Sequence, residues 1–493
     1  MDDLKGLDDL KGRTVRGGFA KLCGQATNFF LRVTFIAVLA RFLSPEDFGL
    51  IGMVTVVTGL SSILTNAWIS AGSVQQAEID DRQLSTLFWV YLAFGAILCM
   101  ACVAAAPVLV AFYHEPRLFG VTVTLGLGCL FTAAGVQHFA ILQRQLRYIA
   151  LTVVETISLF ASIAVGAGMA IAGFGYWALV AATVVAPACS TVGLWLATRW
   201  IPGLPRRIVG TRATVGLGGA ITFNILVVYI AYNIDKLLVG RFWGADALGI
   251  YGRAYQLVTI PPENINSAIG GLAFSALSRL RDDPVRFRRY FLKGYSLIMS
   301  IAFPITVFCA LYADDIVAIV LGPNWNEAAE IFQLLTPTVL VFSIINPFGW
   351  MLFARGLVAR STRIALVIAP LVIVAYVIGL PYGPKGVALA FSSAMLVWLV
   401  PHILWSVHGT PISARDLIAA VGRPFLSAAL AAVVGYSAQR YSADMPYAVL
   451  RLALGGSAMF AAYLFILMFV LGQKDSYLEL IRGLRPRALD STS

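Results

Sequence analysis

The segment Arg41-Phe-Leu-Ser-Pro-Glu-Asp-Phe-Gly-Leu-Ile-Gly52 returns 200 residues later as Arg241-Phe-Trp-Gly-Ala-Asp-Ala-Leu-Gly-Ile-Tyr-Gly252. Both copies join one long apolar stretch to the next. Each opens on Arg, carries a carboxylate five residues on, and keeps its two glycines in register. Self-similarity at such a distance, in a chain built almost wholly of apolar stretches, implies two duplicated helix bundles. A carrier that opens alternately to the two sides of a bilayer needs that layout; an enzyme does not.

Composition agrees. With 59% hydrophobic and 12% charged residues over 493 positions, the chain is too apolar for a water-soluble globule. About fourteen stretches of ~20 residues are long enough to cross a hydrocarbon core ~30 Å thick. The formal charge of +11 is a matter of topology. With a cytoplasmic N-terminus (Lys5, Lys11, Arg13, Arg16) and alternating spans, about 24 basic residues fall on the cytoplasmic side against about 6 outside. That is a strong positive-inside bias, and it places both termini in the cytoplasm. Nucleic acid is not the expected partner; anionic lipid is. The six cysteines all fall in expected spans, and Cys99 and Cys102 lack His or acidic neighbours, so they read as buried thiols and no metal site is expected. No cleavable signal peptide is expected at the charged N-terminus.

The expected fold is all-α and integral to the membrane: about fourteen transmembrane helices, as two parallel six-helix repeats forming two bundles, plus two C-terminal helices. Residues 1–15 form a cytoplasmic N-terminal segment carrying the tandem Asp2-Asp-Leu-Lys-Gly6 and Asp8-Asp-Leu-Lys-Gly12. The first bundle occupies 16–200, with spans at 16–41, 46–73, 84–112, 118–141, 147–172 and 175–198. A basic linker, 201–213, leads to the second bundle at 214–407, with spans at 214–239, 247–273, 290–311, 328–354, 362–380 and 385–407. Two further spans lie within 408–472, and 473–493 is a cytoplasmic tail. An even number of spans per repeat makes the repeats parallel, with the cavity expected between them. No connection is long enough for a nucleotide-binding domain, and no Walker-type loop is present. Catalytic residues and cofactors are therefore not expected.

Ionisable groups at membrane depth are costly and mark pathways. In the first span Lys21, Gln25, Asn28 and Arg32 recur at helical spacing on one face. Lys21 can snorkel to the interface. Arg32 lies about 25 Å of helix rise from the cytoplasmic entry, where a guanidinium can grip a phosphate with two hydrogen bonds. This stripe is the candidate substrate-binding set. The seventh span ends in Tyr229-Ile-Ala-Tyr-Asn-Ile-Asp-Lys236; Asn233, Asp235 and Lys236, with Arg253 as a candidate partner for Asp235, form a candidate gate or latch. Pro261 and Pro262 remove two backbone donors from the eighth span and are the candidate hinge. Glu155 and Glu263 are the candidate acids for coupling to a proton or sodium gradient. His138 reads as a satisfied interhelical donor.

Asn233-Ile-Asp-Lys-Leu-Leu-Val-Gly-Arg-Phe-Trp-Gly244, continuing through Leu248-Gly-Ile-Tyr-Gly-Arg-Ala-Tyr-Gln-Leu257, resembles a signature of bacterial Wzx-type polysaccharide flippases. Phe274-Ser-Ala-Leu-Ser-Arg-Leu-Arg-Asp-Asp-Pro284, Ser85-Thr-Leu-Phe-Trp89 and Val74-Gln75 are similar to theirs as well, although Ser275 stands where relatives typically have Pro. That family belongs to the multidrug/oligosaccharidyl-lipid/polysaccharide exporter superfamily; among its members, exopolysaccharide transporters of the succinoglycan type look nearest. The resemblance implies a cargo: an oligosaccharide repeat unit on undecaprenyl diphosphate, turned from the cytoplasmic to the periplasmic leaflet of the bacterial inner membrane. It also implies a polysaccharide polymerase and a chain-length regulator as neighbours. It supplies no binding residues, because cavities in the family vary with cargo.

Three rival readings remain. A cation-coupled multidrug or small-molecule exporter of the same fold would favour acidic cavity residues, whereas the first-span stripe is basic. A membrane glycosyltransferase or polymerase needs a catalytic acid or base on a substantial outer loop, and the expected outer loops are short. A structural partner of a synthase complex would tolerate loss of Arg32.

Overall fold

A computed structural model of the chain describes residues 27, 29–72, 81–145, 147–204 and 215–473, the side chains of 61–72, 81–82 and 215–222 excepted. Among these, every regular element is helical. That follows from the environment: a backbone crossing hydrocarbon must satisfy its own N–H and C=O groups, and only a helix does so within one segment.

A first helix, α1, covers 29–42. It is followed by α2 (Pro45–Gly72), α3 (Asp81–Tyr113), α4 (Leu118–Arg144), α5 (Tyr148–Ile171), α6 (Trp177–Thr198), α7 (Val215–Ala231) and α8 (Ile234–Arg279). Then come α9 (Pro284–Leu311), two short helices α10 (Ala313–Val320) and α11 (Asn326–Leu335), α12 (Pro337–Ala354), α13 (Val358–Gly379), α14 (Gly383–Val407), α15 (Ala414–Tyr441) and α16 (Ala448–Phe465). Ten helical stretches among the described residues are long and apolar enough to cross a bilayer. Two of them, Phe223–Arg279 and Val358–Val407, run 57 and 50 residues, too long for one passage through a ~30 Å core. The protein is a multi-pass membrane protein.

Two breaks fall where span lengths alone do not place them, and a third falls where a connection is expected. The stretch expected at 214–239 is interrupted at Tyr232–Asn233, where the Asn233 side-chain amide donates to the Tyr229 carbonyl at 2.8 Å and competes with the helix ladder. The stretch expected at 328–354 divides at Thr336, because Pro337 has no N–H to continue the ladder. The third is Gly244 in α8 (φ 82°, ψ −177°), within the connection expected between 239 and 247, and the helix continues through Pro261 and Pro262.

The chain divides into two units. One comprises residues 1–255, 320–331 and 358–394; in it α3 pairs with α4, α4 and α5 with α6, and α7 with α2 and α13. Its most constrained point is the meeting of the two repeated segments. A Cβ on Gly49 would collide with the carbonyl of Ala245, and a Cβ on Gly249 would collide with the carbonyl of Pro45. The contact is reciprocal, with position i of one copy meeting j of the other and j meeting i, as across a twofold axis. Flanking contacts repeat the exchange. Trp325 donates its indole N–H to the Ala40 carbonyl (3.0 Å), and Gly240 faces the Tyr113 ring beside Arg241, which lies over Phe112 at 5.7 Å.

The other unit comprises 256–319, 332–357 and 395–493. There α9 packs against α12 and α15, and α15 against α16. Its anchors are polar. Tyr463 donates to the Ser300 carbonyl (2.8 Å), Tyr312 to the Gly435 carbonyl (2.9 Å), and Gln439 to the Leu311 carbonyl (2.6 Å). Ser413 and Asp416 close a capping box at the start of α15, and Arg288 grips Asp416 through two nitrogens at 2.6 and 2.8 Å. Asp315 is buried and meets two guanidinium nitrogens of Arg451 at 2.6 and 2.9 Å.

In the turn between α3 and α4, Arg117 donates to Glu115 at 2.7 and 2.9 Å and to Glu46 at 2.5 Å. These hydrogen bonds hold the Glu115 carboxyl below its ordinary value and raise Arg117. A depressed acid contributes stability above its unfolded pKa and loses it as pH falls through the lowered one. The groups are part-exposed, so Arg117→Ala is expected to cost about 1 kcal/mol or less at neutral pH. Thermal unfolding of wild type and variant should converge in acid.

Candidate functional site

The turn at Tyr232–Asn233 places a polar cluster at the start of α8. Lys236 donates its ammonium to Asn233 Oδ1 at 2.7 Å and sits 5.2 Å from the centroid of the Tyr255 ring. Asp235 is fully buried. Its Oδ2 accepts the Tyr251 hydroxyl at 2.7 Å, and its Oδ1 accepts the backbone N–H of Lys236 at 2.7 Å. Tyr251 lies sixteen positions along α8; in a straight helix that is about 24 Å, so the break at Gly244 is what brings it back. Arg253 does something else: its guanidinium lies over the Phe48 ring at 4.4 Å, a cation–π contact. From α13 and α14, Tyr376 and Phe391 stack at 5.3 Å, and Phe391 reaches Tyr255 at 6.2 Å and Tyr232 at 6.0 Å. Tyr229, one turn before Asn233, donates to the Thr55 and Val56 carbonyls at 3.2 and 2.9 Å and so ties α7 to α2.

The structure thus brings Asn233, Asp235 and Lys236 together and adds Tyr251, Tyr255 and Tyr376, which helical spacing does not announce. Of the basic stripe, Lys21, Gln25 and Asn28 lie outside the described residues. Arg32 is described; it is exposed and has no hydrogen bond or ion pair with any described residue. Glu155 on α5 and Glu263 on α8 are both exposed. His138 is fully buried between aromatic rings, stacked on Trp195 at 4.6 Å with Nε2 3.3 Å from the Trp200 carbonyl. Cys99 and Cys102 are buried free thiols. No group of three or more His, Cys, Asp or Glu suited to a metal occurs among the described residues.

The geometry resembles known proteins. Residues 38–330 match the profile of a family described as polysaccharide biosynthesis protein. The chain is 27% identical over 441 residues to the lipopolysaccharide biosynthesis protein WzxC of Escherichia coli (strain K12), covering 87% of this chain and 88% of that one. It is 23% identical over 486 residues to the succinoglycan biosynthesis transport protein ExoT of Rhizobium meliloti (strain 1021), covering 93% and 94%. Among solved structures, the lipid II flippase MurJ in an inward closed conformation superposes with a TM-score of 0.72 at 15% identity, over 94% of this chain and 99% of that one. The fold is therefore of the MurJ kind.

Proposed function

Because this chain belongs to the polysaccharide biosynthesis protein family, we propose that it turns lipid-linked oligosaccharide repeat units, carried on undecaprenyl diphosphate, from the cytoplasmic to the periplasmic leaflet for exopolysaccharide assembly. One observation carries the reading: the flippase-type fold extends over 94% of the chain, in a member of a family named for polysaccharide biosynthesis. A transport protein for succinoglycan aligns over nearly the same length. The reading is that of a transporter, not an enzyme.

In this proposal about fourteen spans, arranged as two parallel six-helix repeats (16–200 and 214–407) and two further helices, sit in the bacterial inner membrane with both termini cytoplasmic. They work by alternating access, driven by a proton or sodium gradient. The stripe of Lys21, Gln25, Asn28 and Arg32 receives the diphosphate, whose charge cannot cross hydrocarbon uncompensated. Arg32, exposed and without a partner among the described residues, is the member of the stripe that supports this reading. Asn233, Asp235, Lys236 and Arg253 serve as latch, and Pro261 with Pro262 as hinge. A polymerase and a chain-length regulator are the partners that would consume the product.

The test is the leaflet distribution of lipid-linked oligosaccharide in cells lacking the gene, complemented with wild type or Arg32→Ala. Cytoplasmic-leaflet accumulation rescued only by wild type is expected. Normal flipping in the null strain would end the proposal, and full rescue by Arg32→Ala would move the binding site elsewhere.

A further inference from the structure

Two carboxylates among the described residues are buried, and they are made tolerable in different ways. Asp315 has a counter-ion, since Arg451 puts two nitrogens on it at 2.6 and 2.9 Å. Asp235 is more deeply buried, yet its hydrogen-bond partners are a tyrosine hydroxyl and a backbone N–H, both at 2.7 Å. The charge of Lys236 acts on Asp235 from the next position, but its ammonium hydrogen-bonds Asn233 Oδ1 and lies over the Tyr255 ring, and the Arg253 guanidinium lies over the Phe48 ring. An ionised carboxylate without an ion pair in such a place is expensive, and the remedy open to a carboxyl group is to take up a proton. The protonated form needs somewhere to donate. The hydroxyl of Tyr376 is buried and has no hydrogen-bond partner among the described residues, and its ring joins the same cluster by stacking on Phe391, which reaches Tyr255.

We propose that Asp235 is the proton-binding site of transport: one carboxylate oxygen takes up a proton and releases it once per cycle, with the hydroxyls of Tyr251 and Tyr376 as its hydrogen-bonding partners. The step is protonation and its reversal, with no redox change, and the proton comes from and returns to water. The inference rests on the gradient-driven carrier proposed above and gives it a coupling residue other than the exposed Glu155 and Glu263. The groups around the site are Lys236, Tyr251 and Tyr255 on α8 itself, with Arg253 turned to the Phe48 ring, Tyr232 and Asn233 in the preceding turn, and Tyr376 on α13. From α14 comes the apolar Phe391, from α2 Phe48, and from α3 Tyr113, whose ring lies against Gly240. None of them brings a second carboxylate.

Two measurements on the full-length protein test this. The first is an infrared pH titration of the purified protein in lipid, which reads the C=O stretch of protonated carboxyl groups without any cargo. A titrating band is expected in wild type and its loss in Asp235→Asn, which keeps the shape of the side chain and an acceptor for Tyr251. Tyr376→Phe should shift the midpoint by about one pH unit, the scale of one hydrogen bond. Absence of a titrating band in wild type, or the same band in Asp235→Asn, overturns the proposal. Should Asp235→Asn not fold, Tyr376→Phe and Tyr251→Phe decide it, an unshifted midpoint in both being fatal.

The second is flipping of lipid-linked oligosaccharide in inverted membrane vesicles with and without an imposed pH gradient. Asp235→Asn is expected to lose at least tenfold of the acceleration that a pH gradient gives wild type. Acceleration by a pH gradient equal to wild type, or by a sodium gradient alone, overturns the assignment. If wild type does not flip at all, the carrier reading fails, while the infrared arm still reports on Asp235.

Discussion

Gly49→Ala and Gly249→Ala are each expected to destabilise the protein severely, in a direction opposite to helix propensity. Within a helix, Gly to Ala ordinarily gains up to about 1 kcal/mol. Here the added Cβ meets main chain, the Ala245 carbonyl in one case and the Pro45 carbonyl in the other. A flexible side chain can swing away; a carbonyl inside a helix moves only with the helix. Overpacking costs of about 1–3 kcal/mol apply where side chains can adjust, so about 3 kcal/mol or more is expected at each position. Gly252 and Gly271 supply the control, because a Cβ there has nothing within 4 Å, and alanine should be neutral or slightly stabilising. The pairing makes a sharper prediction. Once the first alanine has forced the crossing apart, the second meets less resistance, so Gly49→Ala/Gly249→Ala should cost clearly less than the sum of the singles. Thermal unfolding of the six proteins, wild type included, in one detergent checks this, and strict additivity would mean that the two contacts are independent.

Arg451→Ala is the second large effect. The guanidinium is a bidentate partner of Asp315 and also donates to the Met445 carbonyl at 2.7 Å. Removing it leaves a buried carboxylate without its counter-ion, for which about 3–5 kcal/mol is typical. The cost belongs mainly to the stranded charge. Asp315→Ala/Arg451→Ala should therefore be more stable than Arg451→Ala alone, even though it removes more of the protein. A melting-temperature series of wild type, the two singles and the double variant tests the claim. A double variant worse than Arg451→Ala would show that the pair's packing, not its charge, is what matters.

Much of this architecture is legible in the sequence because membrane helices follow one simple rule, about twenty apolar residues per crossing. The places it misses are decided by single residues. The turn at Tyr232–Asn233 depends on one side-chain amide, and the division at Thr336 on one imino nitrogen. The cluster at Asp235 was half readable. Asn233 and Lys236 are three positions apart and are neighbours on any helix, but Tyr251 meets Asp235 only because Gly244 adopts a positive φ. Tyr376 comes from another helix altogether, and no local pattern signals it. For Arg32 the sequence indicates depth and face, while Lys21, Gln25 and Asn28 lie outside the described residues.

The reciprocal crossing also bears on how such a chain can evolve. In a dimer of identical subunits, every substitution at a twofold contact strikes both halves of it at once, so improving one side means accepting the same change on the other. Fusion into one polypeptide removes that bond. Pro45 stands opposite Gly249 and Ala245 opposite Gly49. The glycines have stayed matched while their surroundings have drifted apart. At the crossing a change in one segment is met at once by the main chain of the other, whereas away from it each segment can change alone.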